Sequence, residues 1–317
     1  MKDNFKIAVM LNGHPKHLET TQHLFKHWNN LYDNIEFDFF VSIWDTIDND
    51  YESFDRALDI NDLDWVTKFE LLKEEDCPYD LKSHEAGHHQ PHYCYTFKKV
   101  NDLRNSHDEK YDAVLQTRCD SVFLRKALDG LIHELIGDQV YDGDNKPTQK
   151  RNPQITEKNI FSRDGSCIHS VFSTSENKWN HNLWTQDTFF FGHPKVMDIF
   201  SGMFDDMWMD EDYDGDVMMH IFQAEYLHSK GIYNMRVRFG GFTGLIREAY
   251  RFNTYDEDKI KVGTQVIKTQ ANTNQGWSKN HPSPKQIINL INDRGLDWIY
   301  DKHNEEKVSS YFSSTPK

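Results

Sequence analysis

The chain has no long apolar run, no paired cysteines and no surplus of positive charge, and each absence removes a class of function. Its first apolar stretch, Ile7 to Leu11, is too short for the core of a secretory signal and far too short for a membrane span. Four cysteines, Cys77, Cys94, Cys119 and Cys167, are spread through 317 residues without a CxxC pair, which argues against a disulfide framework and against a thiolate zinc site. With 36 basic residues against 51 acidic ones the formal charge is -15, a balance that repels a nucleic-acid backbone or an anionic membrane surface. The expectation is a soluble cytoplasmic protein with no nucleic-acid partner and no integral membrane contact. The apolar fraction is low at 37%, but 21 Phe, 14 Tyr and 8 Trp supply large side chains for a core, so most of the chain is expected to be folded.

Apolar runs and turn signals alternate along the chain. Lys6 to Leu11 reads as a strand closed by Asn12-Gly13, Leu18 to Tyr32 as a helix, Phe37 to Trp44 as a second strand closed by Asp45, and Asp112 to Thr117 as a third closed by Arg118-Cys119-Asp120. Strands separated by helical segments imply an α/β fold with a mostly parallel central sheet flanked by helices, in which ligands sit beyond the carboxyl ends of the strands. Residues 141–182 are rich in Asp, Gly, Asn and Ser and read as a loop insertion. Thr188 to Gly192 resumes as a strand, and Pro194 to Met207 as a helix. A further helix, from about Asp216 to Lys230, ends at Gly231 ahead of a strand from Ile232 to Val237. Ser283-Pro284 opens a C-terminal helix. No linker cuts the chain, so a single domain is expected over 1–305, with 306–317 a polar tail.

Arg118 and Asp120 carry the clearest chemistry. A buried strand delivers a cation and a carboxylate one residue apart, and continued extension aims both to one side. Asp120 offers hard oxygen to Mg2+ or Mn2+, and Arg118 a planar fork of donors to a diphosphate; a structural ion pair has the same spacing. The stretches KIAVMLNGH (6–14), FDFFVSIWD (37–45), YTFKKVNDL (95–103), YDAVLQTRCDSVF (111–123) and QDTFFFGHPKVM (186–197) together resemble, in this order, a family of GT-A-type glycosyltransferases of capsule and lipopolysaccharide clusters and of large viruses and phages. The resemblance implies a GT-A-like domain, a nucleotide-sugar donor, a glycan acceptor, a divalent metal and, for a viral member, the host cytoplasm. It places Asn12 and Gly13 beside the nucleotide, Asp45 at the base or ribose, Arg118 at the diphosphate and Asp120 on the metal. Arg118 stands where the family's metal motif has an acid, so the metal rests on Asp120.

On the acceptor side the resemblance points to Asp216, ahead of Asp187, as the group that takes the acceptor's proton; each is also suited to capping the element it precedes. Late in the chain, Asn280-His281 suggests His281 as a second metal ligand, or a turn anchored by Trp277. Two other classes compete: a glycosyltransferase-like binding protein without turnover, and a calcium-binding interaction module on the acidic loop 210–216. That loop has Asp210, Asp212, Asp214 and Gly215 in calcium-loop order but Ile221 where the bidentate glutamate belongs. His88, His89 and His92 lack the spacing of a tetrahedral zinc site.

Overall fold

The computed structural model describes residues 4–15, 17–45, 63–78, 89–137, 154–163, 189–208, 219–237, 243–245 and 282–313. Two compact units divide the chain between them: Met1–Lys16, Trp28–Cys119 and Leu131–Arg238 form the first, and His17–His27, Asp120–Gly130 and Phe239–Lys317 the second. Among the described residues no helix is long and apolar enough to cross a membrane.

The first unit is built on a seven-stranded sheet in the order β3-β2-β1-β4-β7-β6-β8. Its strands are β1 (Phe5–Gly13), β2 (Ile35–Trp44), β3 (Lys68–Leu72), β4 (Ala113–Arg118), β6 (Asn159–Arg163), β7 (Phe189–Gly192) and β8 (Tyr233–Val237). β1 lies parallel to β2 and β4, β2 to β3, and β6 to β8, whereas β7 is antiparallel to both its neighbours. The sheet is therefore mostly parallel, and six strands point one way. Apolar runs in the central strands make this possible, because both faces are buried: Ile7 through Leu11 are each 1% exposed or less.

Alternation sends Ala8 and Met10 of β1, Phe40 and Trp44 of β2, Val114 of β4 and Phe190 of β7 into one core. Helix α2 (His89–Asn105) packs there through Cys94, Phe97 and Val100, as does the helix Pro194–Ser201 through Val196, Met197 and Phe200. Phe200 meets Phe97 and Phe190 edge to face at 5.1 and 4.7 Å, which joins helix, helix and strand in one aromatic contact. Beside it, Arg104 is 3% exposed and pairs with Asp198, whose Oδ1 also accepts from Asn101 and Asn105 at 3.1 and 2.8 Å. Burial pushes the Arg104 guanidinium down from its ordinary value, and Asp198 opposes that. On the opposite face Trp28 lies against Phe37 and Phe39, and Phe39 against Trp65.

The second unit contains α1 (Leu18–His27), a two-stranded sheet of β5 (Ser121–Phe123) with β9 (Thr243–Leu245), and three C-terminal helices, Pro284–Arg294, Leu296–Ile299 and Glu305–Ser313. Helix α3 (Arg125–Ile136) begins in it. Ser283 caps its helix with a reciprocal capping box to Gln286, as the Ser-Pro pair predicts. Glu305 is 3% exposed and accepts from the Lys126 backbone N–H at 2.8 Å.

Two expectations need correction. The stretch read as a loop insertion, 141–182, contains β6, a strand inside the sheet; only Ile160 and Phe161 carry apolar bulk there, too few to show a period. Residues 306–313 of the expected polar tail belong to a helix, Glu305–Ser313, that buries Val308 and Phe312, one turn apart on one stripe.

Candidate active site

Since six strands share a direction, their carboxyl ends, Gly13, Trp44, Leu72, Arg118, Arg163 and Val237, lie along one edge of the sheet. Phe189, where the antiparallel β7 begins, pairs with Thr117 near the end of β4 and so lies at the same edge. Connections at the carboxyl edge of a parallel sheet are where such folds carry binding groups.

Three of the expected residues meet at this edge. β1 pairs with β2 and β4 up to its last residues, with Asn12 opposite Ser42 on one side and Arg118 on the other. Gly13 has φ 104, a backbone state that L side chains rarely adopt, and a Cβ built on it would find nothing within 4 Å. Room is therefore not what favours glycine there; the dihedral is. Gly13→Ala is expected to cost about 1–3 kcal/mol from backbone strain alone, read as a lower urea midpoint with an unchanged slope. Asp45 is exposed, and its backbone N–H donates to the Leu72 carbonyl at 2.8 Å, which extends the β2–β3 pairing by one residue and holds the carboxylate at the edge.

Asn12 is placed differently from its expected role. It belongs to the strand, is 2% exposed, and its carboxamide faces α2: Gln116 Nε2 donates to its Oδ1 at 2.6 Å, and its Nδ2 donates to Thr96 Oγ1 at 3.1 Å. Its side chain is thus engaged within the protein. The Arg118/Asp120 spacing also resolves differently. β4 ends at Arg118, and Cys119-Asp120 is a turn before β5, so the extended alternation that aims both side chains one way does not persist. Asp120 is 2% exposed, and both residues have polar partners in the protein.

Asp187, Asp216, His281, His88 and the acidic loop 210–216 lie outside the described residues. Among the described residues no group of three or more His, Cys, Asp or Glu side chains could hold a metal ion.

Sequence reasoning passed over the polar groups just beneath this edge. Gln116 and Ser42 are each 0% exposed, and Trp44 is 1% exposed, yet among the described residues Gln116 Oε1, Ser42 Oγ and Trp44 Nε1 have no hydrogen-bond partner. Burying such an atom unpaired costs about 1–3 kcal/mol. The signal available was a glutamine inside Ala113–Thr117 and a serine inside Phe37–Trp44, polar interruptions in runs that are otherwise buried. Trp44 packs edge-on to His92 of α2 at 5.0 Å and stacks near Tyr95 at 5.9 Å, so the first turn of that helix also reaches the carboxyl edge.

No family model and no curated protein matches the chain. Among solved structures it is similar to the inositol-1-phosphate CTP transferase from T. maritima, at 11% identity and a TM-score of 0.36 over 82% of this chain and 98% of that one. It is also similar to the apo-form glycosyltransferase GlyE of Streptococcus pneumoniae TIGR4, at 9% identity and a TM-score of 0.33 over 74% of this chain and 45% of that one. Likeness of this degree transfers neither protein's activity, and what the chain itself displays is a mixed α/β fold with a mostly parallel seven-stranded sheet.

Proposed function

We propose that this protein is a glycosyltransferase that moves a sugar from a nucleotide-sugar donor to a glycan acceptor at the carboxyl edge of its sheet. The observation that carries this reading is the adjacency of three parallel strand ends, those of β1, β2 and β4, which bring the Gly13 backbone, the Asp45 carboxylate and Arg118 to one edge. In this reading Gly13 lets the backbone approach the nucleotide, Asp45 accepts hydrogen bonds from base or ribose, and Arg118 spreads its donors over the diphosphate. Asn12 serves through its backbone and its internal hydrogen bonds.

The chemical demand is to stabilise negative charge on the departing nucleoside diphosphate while the acceptor hydroxyl loses a proton. Arg118 meets the first need directly. Mn2+ or Mg2+ would add to it, with Asp120 offering one oxygen and His281 proposed as a second ligand. A carboxylate takes the proton in an inverting reaction. Asp187 and Asp216 are the candidates for that role.

A thermal-shift series with UDP-, GDP-, CMP- and dTDP-sugars, each with and without Mn2+, tests donor class and metal together. Ligand at 100 times its dissociation constant adds about 2.7 kcal/mol to the stability of the form that binds it, which moves the midpoint by several degrees. One nucleotide class is expected to raise the midpoint, further with Mn2+, and Asp120→Asn to remove the metal increment. No shift with any of them at millimolar concentration counts against the donor site; the same increment in Asp120→Asn counts against Asp120 as a ligand.

A further inference from the structure

The polar seam under the carboxyl edge is directional. The Tyr93 carbonyl only accepts, and Thr96 Oγ1 donates to it at 3.0 Å, so the same hydroxyl accepts from Asn12 Nδ2. Asn12 Nδ2 also lies 3.5 Å from the Tyr93 carbonyl. With its amide turned toward α2, Asn12 presents Oδ1 to β4, where Gln116 Nε2 donates to it at 2.6 Å. Gln116, Asn12, Thr96 and the Tyr93 carbonyl thus form one chain of hydrogen bonds, each donating to the next, running from β4 through β1 into α2. Each link fixes the orientation of the next, and such chains stiffen cooperatively in a low-dielectric interior.

Stability alone does not account for this seam. It leaves Gln116 Oε1 and, in the row beside Asn12, Ser42 Oγ buried without partners among the described residues, where apolar side chains of the same shape would carry no such cost. What the seam does achieve is positional. Asn12 is the residue before Gly13 and stands opposite Arg118, and Gln116 lies two residues before Arg118 on the same face of β4. The chain therefore ties the turn at Gly13 to the end of β4 and to the first turns of α2.

We propose that Thr96 and Gln116 are positioning residues for the donor nucleotide: through Asn12 they hold the Gly13 backbone in its positive-φ state and in register with Arg118. This rests on the nucleotide reading of the carboxyl edge. Neither residue touches the ligand; they act by removing freedom from groups that do.

The test is calorimetric titration of UDP, GDP, CDP and dTDP into the full-length protein, well below its melting temperature, with Thr96→Val and Thr96→Ser beside the wild type. Valine keeps the shape and removes the hydroxyl, whereas serine keeps the hydroxyl. The nucleotide that binds wild type is expected to bind Thr96→Val roughly five- to tenfold more weakly, the size of one lost hydrogen bond, and to regain its affinity in Thr96→Ser. A purely structural role would lower the melting temperature and leave the dissociation constant where it was. Equal affinity in Thr96→Val overturns the proposal, and so does equal weakening in both variants. If none of the four binds the wild type, the nucleotide reading itself falls and the positioning role with it. Should Thr96→Val fail to fold, Gln116→Met breaks the same chain from the β4 end and is read by the same criterion.

Discussion

Replacing Asp198 by alanine is expected to destabilise the protein by about 3 kcal/mol, and replacing Arg104 by methionine in the same molecule to return part of that loss. The guanidinium of Arg104 is 3% exposed, whereas Asp198 keeps 43% of its side chain in solvent, so the burden of desolvation falls on the arginine. Without Asp198 a buried cation remains, bonded only to the Asn105 side chain at 2.6 Å. Methionine fills much of the same volume without a charge, so the double variant lacks the costliest feature of the single one. The 43% exposure puts the single loss at the low end of the range, about 3 rather than 5 kcal/mol, for breaking a buried pair. Urea unfolding of the two single variants and the double variant checks this. A double variant as unstable as the sum of the singles would show that Arg104 is held by Asn105 and not by charge.

Phe200→Ala should be at least as damaging, about 3–5 kcal/mol, because it removes the ring that meets both Phe97 and Phe190 in the fully buried contact between α2, the helix Pro194–Ser201 and β7. Neighbouring rings close such a hole poorly, since each is pinned by its own backbone. Phe200→Leu retains most of the volume and should cost less than half as much. Comparison of the two urea midpoints decides the point; similar losses would mean that the edge-to-face geometry, and not the volume, is what matters there.

How far the fold can be read from the sequence depends on which signal each segment carries. β1, β2 and β4 lie within the sheet, are buried on both faces over most of their length and therefore stand out as largely apolar runs. β3, Lys68-Phe69-Glu70-Leu71-Leu72, is an edge strand with only Leu72 fully buried, and it passes unseen. The turn at Cys119-Asp120 is hidden because residues 111 to 123 read as one continuous stretch, although β4 ends at Arg118 and β5 pairs elsewhere. In the candidate site, the shared direction of β1, β2 and β4 was legible, and so was the edge to which Gly13, Asp45 and Arg118 belong. The face was not. Nothing local to KIAVMLNGH says that α2 covers the side to which Asn12 points, and that contact is what makes Asn12 an internal hydrogen-bonding group.

The membership of the second unit sets an order of assembly. Its first helix, α1, spans Leu18–His27, but the groups that His27 meets, Asp297 at 3.4 Å and the Tyr300 ring at 5.3 Å, come from helices some 270 residues later. During synthesis α1 must wait, already made, while the six strands of the seven-stranded sheet that follow it, β2 through β8, leave the ribosome. A ten-residue helix is marginal by itself in water. Closure of that unit therefore cannot precede the synthesis of Asp297 and Tyr300, however early α1 is made.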